Sequence, residues 1–71
     1  MSAKSYTARV EGDRVYVIEL PSGIRRSVSD GRSGNQHVTG AFVNEGTLTI
    51  NYSDGRVRTF NASTLGRTGS Y

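Results

Sequence analysis

The sequence predicts an all-β fold: a small antiparallel, barrel-like domain of five or six short strands. Three observations predict it. Apolar and polar residues alternate, most cleanly in Thr47-Leu48-Thr49-Ile50-Asn51-Tyr52, and a period of two belongs to a half-buried strand. Clusters of Gly, Asn, Asp, Ser and Pro punctuate the chain at short intervals, the spacing of an all-β sandwich or barrel. The chain also repeats itself. Residues Ile18 to Val28 match Ile50 to Phe60 position for position, 32 residues on. No segment keeps the apolar period of a helix over three turns, so no true helix is expected.

The expected halves are 6–28 and 38–60, each strand, short turn, strand, glycine loop, strand. Tyr6 to Val10 opens the first half, with Tyr6, Ala8 and Val10 on one face. Glu11-Gly12-Asp13 is a turn in which Gly12 is free to take positive φ. Arg14 to Leu20 is the strongest strand, apolar on both faces, as a central, doubly covered strand would be. In Leu20-Pro21-Ser22-Gly23, proline suits a type I turn and glycine the left-handed residue after it. This describes a three-residue loop closed by a glycine bulge. Its register sets Leu20 opposite Ile24, Ile18 opposite Arg26 and Tyr16 opposite Val28, with Glu19 facing Arg25 on the other side.

The second half repeats these features. Val38 to Val43 is a strand in which Gly40 marks a bulge or a close backbone approach. Asn44-Glu45-Gly46 is a turn, and Thr47 to Tyr52 a strand with Leu48, Ile50 and Tyr52 inward. A three-residue loop at Ser53-Asp54-Gly55 pairs Ile50 with Arg58 and Leu48 with Phe60. A two-residue Asp-Gly turn is the rival, and would send Phe60 to the opposite face. The three-residue loop is preferred because it keeps Phe60 with Leu48 and matches the first half.

Between the halves, residues 29–37 have the composition of a mobile loop. The halves either close on each other as a barrel or exchange between chains, with this loop as hinge. After Phe60, Asn61 is a candidate cap for one helical turn that Gly66 would stop, with Leu65 its core contact. Residues 66–71 are expected to be a frayed tail.

At 71 residues the chain is one domain, and Leu, Ile, Val and Phe make up only about a fifth of it. Thin cores of this kind are often completed by self-association, so a homo-oligomer is expected. There is no cysteine, hence neither a disulfide nor a cysteine metal site. No apolar run is long enough to cross a membrane as a helix, and the first residues lack the apolar stretch of a signal peptide. The expectation is a cytoplasmic protein without membrane contact.

The chain carries no recognisable catalytic constellation. His37 is the single histidine, so a histidine metal site is not expected. Glu11, Asp13, Asp30, Glu45 and Asp54 all fall in turns, with no acid–base pair given a reason to meet. The glycines at Gly31 and Gly34 lack the lysine and following helix of a phosphate-binding loop. No enzyme and no cofactor are expected.

The basic residues are the strongest lead. Net charge is +3, and eight of the nine basic residues are arginine, the side chain best suited to bidentate phosphate recognition. Arg25, Arg26, Arg32, Arg56 and Arg58 cluster on the returning strands and the loop between halves, and Arg26 and Arg58 are repeat equivalents. Small barrels bind DNA or RNA with such arginines beside aromatic platforms, here Tyr16, Tyr52 and Phe60. The bland reading is that the aromatics are core, that Arg25 pairs with Glu19, and that Arg26 and Arg58 lay their stems along the core edge. The expected function is a non-enzymatic module binding an anionic partner, a nucleic acid, through those five arginines. The alternative is a protein-interaction or assembly module acting as a homo-oligomer through strand edges or swapped strands.

Overall fold

The computed structural model describes residues 5–29 and 33–70. It is all-β, with no helix among these residues. The strands are β1 (Ser5–Glu11), β2 (Arg14–Leu20), β3 (Arg25–Ser27), β4 (Val38–Asn44), β5 (Thr47–Tyr52), β6 (Val57–Asn61) and β7 (Arg67–Ser70). They form two antiparallel sheets, β1-β2-β3 and β4-β5-β6-β7. The sheets pack on each other and do not close into a barrel. Seven strands replace the expected five or six. The extra one is β7, where a frayed tail was anticipated. Asn61 does act as a cap, its Oδ1 accepting from the backbone N–H groups of Ser63 at 2.9 Å and Thr64 at 3.2 Å. The turn it stabilises reverses the chain instead of starting a helix, and Leu65 takes φ 63° to complete the reversal. The residues after it then pair with β6.

One layer of side chains holds the sheets together. Val15, Val17 and Val28 come from the first sheet, and Leu48, Ile50, Tyr52, Phe60 and Ala62 from the second and the turn after it. Leu48 and Ile50 are fully buried, and Phe60 is 2% exposed. Tyr6, Ala8, Val38, Ala41, Val43 and Leu65 pack around this layer. The first sheet thus supplies only valines to the centre, while the second supplies the bulk.

The second hairpin has the expected register. Leu48 pairs with Phe60 and Ile50 with Arg58, and Gly55 closes the loop at φ 86°, a left-handed value that only glycine adopts without cost. The bulge at Gly40 is also present, as a register shift between Val38 and Gly40.

The first hairpin is displaced by one residue from expectation. Tyr16 pairs with Ser27, Val17 with Arg26 and Ile18 with Arg25, and Val28 donates to the Val15 carbonyl at 2.9 Å. Glu19, not Leu20, is the last paired residue, its N–H reaching the Ile24 carbonyl at 2.8 Å. Four residues, Leu20 to Gly23, therefore lie in the loop, against three in the second hairpin. The misreading has a physical source: β2 is apolar on both faces, so burial alone does not choose between registers a residue apart. With Val28 opposite Val15, the valine face turns inward and the Tyr16–Ile18–Leu20 face turns out.

The corresponding positions follow. Val15 opposite Val28 is a buried cross-strand pair in the first sheet, and Leu48 opposite Phe60 is one in the second. The interval is 33 residues before the hairpin loop (48 − 15) and 32 after it (60 − 28). Ile18 and Ile50, aligned by the sequence match, are in unlike surroundings: Ile50 is sealed in the core and Ile18 is half-buried on the outer face. Arg26 lies opposite Val17 and Arg58 opposite Ile50.

Residues 33–37 of the link between sheets are tied to two turns. Residues 30–32 lie outside the described residues. Beyond them, Gln36 is buried at 4% exposure. Its Oε1 accepts from the Ser33 N–H at 2.9 Å, and its Nε2 donates to Asp54 Oδ2 at 3.1 Å. Asp13, in the first tight turn, accepts from the Val38 N–H at 3.3 Å and meets His37 Nδ1 at 3.1 Å. Carboxylates of two turns therefore clasp the entry to β4.

The register has a direct test. Ile50→Val should lower unfolding free energy by about 1 kcal/mol, the usual cost of removing one buried methyl group. Ile18→Val should cost well under half of that, because its face is open. Equal losses in urea titrations of the two variants would contradict the one-residue offset.

Candidate anion-binding surface

Cross-strand partners share a face, so the outer surface of the first sheet can be read from its register. Arg9 lies opposite Tyr16, which lies opposite Ser27. Thr7 lies opposite Ile18, which lies opposite Arg25, and Glu11 opposite Arg14. Three arginines thus surround Tyr16 on one side of a three-stranded sheet. The Arg25 guanidinium sits 4.9 Å from the Tyr16 ring centroid, a cation–π distance. Arg9 Nε is 2.9 Å, and Arg25 Nη1 3.5 Å, from the same Glu11 carboxylate oxygen. Both arginine side chains stay more than half exposed, so these pairs orient the guanidinium groups while leaving them accessible. Exposed pairs of this kind are weak enough to exchange for a stronger anion.

The five arginines singled out from the sequence do not share one surface. Arg25 belongs to the outer face just described. Its neighbour Arg26 points the opposite way, as successive strand residues must, and donates from Nη1 to the Ser63 carbonyl at 2.8 Å. Arg56 is exposed beside Asp54, 3.6 Å away. Arg58 is half-buried, its guanidinium 5.2 Å from the Tyr52 ring centroid. Arg32 lies outside the described residues. Tyr52 and Phe60 are core, as the bland reading had it, and of the three aromatics considered only Tyr16 lies outside it. The expected Glu19–Arg25 cross-strand pair is replaced by Glu19–Ile24 and Ile18–Arg25. Sequence reasoning missed Arg9 and Arg14. The signal was present in the alternation of Arg14, Tyr16 and Ile18, and the displaced register concealed it.

Asp13 and His37 meet, although no acid–base pair was anticipated. Ser53 Oγ, the hydroxyl near them, accepts from the His37 backbone N–H at 3.1 Å. That contact engages the main chain, not the imidazole, so it does not make a nucleophile–base couple. Among the described residues, no group of three or more His, Cys, Asp or Glu is placed to hold a metal ion. Nor is any helix among them long and apolar enough to cross a membrane.

Comparison with known proteins returns no match: no family model, no curated protein and no solved structure aligns with the chain.

One carboxylate on the second sheet carries a pH dependence. The Arg56 backbone N–H, donating to Asp54 Oδ1 at 3.1 Å, holds the Asp54 carboxyl below its ordinary value. The Gln36 side chain and the Arg56 charge act in the same direction, and partial desolvation opposes them. A depressed folded-state value stabilises the fold above the ordinary carboxylate range, and that contribution disappears as pH falls through Asp54's own value. Asp54→Asn should therefore be less stable than the native chain at neutral pH. The gap should close on acidification, as followed by urea unfolding at a series of pH values.

Proposed function

We propose that the chain is a non-enzymatic module that binds single-stranded nucleic acid on the outer face of its first sheet. The observation that carries this reading is the half-buried Tyr16 on the outer face, with the Arg25 guanidinium over its ring at 4.9 Å from the centroid and Arg9 and Arg14 on the same face. A base has a π-surface to meet in Tyr16, and its phosphates have cations on either side. Sequence-tolerant single-strand binding uses the same combination of aromatic platform and basic track. Arginine serves better than lysine here, because its planar group both stacks and forks. Glu11 is displaced as phosphate arrives.

The two three-stranded runs are read as an internal repeat with one residue inserted in the first loop. Only the first copy keeps an aromatic on its outer face beside arginines. In the second, the outer positions of β5 are Thr47, Thr49 and Asn51, and the exposed Phe42 opposite Thr49 has no arginine in its cross-strand row.

Self-association is a second reading, favoured by a specific feature. β3 is a three-residue edge strand whose residues are all exposed, and Ile24 beside it is 55% exposed. An open edge with an exposed apolar neighbour invites pairing with another copy, whether by simple edge contact or by exchange of strands.

The readings separate on salt. Fluorescence titration with a labelled single strand should give binding that weakens with salt, with a log–log slope near −2 for about three phosphates. Tyr16→Ala should weaken it about tenfold through lost stacking, and the Arg9→Ala/Arg25→Ala pair should flatten the slope. Absence of binding at low salt removes the nucleic-acid reading. Light scattering that rises from monomer to dimer with concentration, unaffected by salt, would support edge pairing instead.

A further inference from the structure

On the opposite side of the same sheet, facing the turn after β6, lies a cleft of about 180 Å³. Its floor is Val17 and Ala62, each 1% exposed. Two rows of the register build its walls. Tyr6 lies opposite Glu19, which lies opposite Ile24, and in the next row Val17 lies opposite Arg26. Arg26 and Glu19 are therefore diagonal neighbours on one face, roughly 7–8 Å apart at the backbone, with an apolar floor between. Arg26 is held in place by its bond to the Ser63 carbonyl at 2.8 Å. That bond engages one N–H of a guanidinium that has five to offer. Ser22 Oγ donates to Glu19 Oε2 at 3.1 Å and steadies the carboxylate.

We propose that this cleft binds a small zwitterion with a short apolar body, the chemistry of a free α-amino acid of leucine size. The ligand carboxylate meets Arg26, its ammonium group meets Glu19, and its side chain packs on Ile24 and Tyr6. The volume and the charges both select this class. Pockets for drug-sized ligands run to roughly 300–1,000 Å³, larger than this cleft. A phosphate monoester would set its second negative charge against Glu19. A charge-assisted hydrogen bond at each end fixes orientation, and the exposed Ile24 favours a side chain over a bare glycine. The site is separate from the arginine–tyrosine surface, and the proposal does not rest on nucleic-acid binding.

The test is a two-dimensional amide NMR titration of the full chain with L-leucine, L-leucine methyl ester and 4-methylpentanoate. Leucine should produce saturable shifts at Ile24, Ala62 and Ser63. The ester, lacking the carboxylate charge, and the acid, lacking the ammonium, should each bind about tenfold or more weakly, the scale of one charged hydrogen bond. Arg26→Gln should abolish the preference for leucine over its ester. Glu19→Gln should abolish the preference for leucine over the plain acid. If either variant fails to fold, the three ligands on the native chain still decide. No saturable shift at these residues, or an ester that binds as tightly as leucine, overturns the proposal.

Discussion

The fold depends on which side of β2 meets the second sheet. A strand apolar on both faces offers two cores, one built from Val15 and Val17 and the other from Tyr16 and Ile18. Hydrophobic burial alone discriminates poorly between them. The four-residue loop from Leu20 to Gly23 makes the choice, because it sets Val28 beside Val15. Once the valines turn inward, the larger Tyr16 and Ile18 have no place but the outer surface. The aromatic platform thus follows from the length of one hairpin loop.

The same choice explains what was legible in the sequence. The alternation of Leu48, Ile50 and Tyr52 admits one inward face, so the preferred register of β5 against β6 was the right one, although β6 lies one residue later than expected. Gly40 and Gly55 announced a bulge and a loop closure for reasons of backbone geometry alone. The first hairpin was not readable in this way. Its proline and glycine are compatible with loops of different length, and its strand has no polar face to break the tie. The candidate arginines inherited that ambiguity. Arg25 was placed by strand alone, and its company on the sheet, Arg9 and Arg14, depended on a pairing that only the coordinates reveal.

Long-range polar contacts were the other part hidden from the sequence. Asp13 looked like an ordinary turn acid, yet it receives the Val38 amide and His37 from the far sheet. Gln36 looked like loop filler, yet it is buried and bonded to Asp54. These contacts join residues 24 and 18 positions apart, and no local pattern encodes them. They also show why the chain can hold two sheets together with so few large apolar residues. The turns carry side chains that tie one layer to the other, and the core does not act alone.

The unequal core has a dynamic consequence. The first sheet is seated on three valines, while the second brings leucine, isoleucine, tyrosine and phenylalanine to the same layer. Lifting the first sheet away uncovers little of its own greasy surface, whereas dismantling the second uncovers most of what the molecule hides. Partial openings therefore favour the first sheet, with its three-residue edge at β3 leading, and the β5 amides should be the last to trade their hydrogens with the solvent. The layer carrying the arginine–tyrosine surface is thus the more yielding of the two, free to adjust to whatever it grips while its companion keeps the shape.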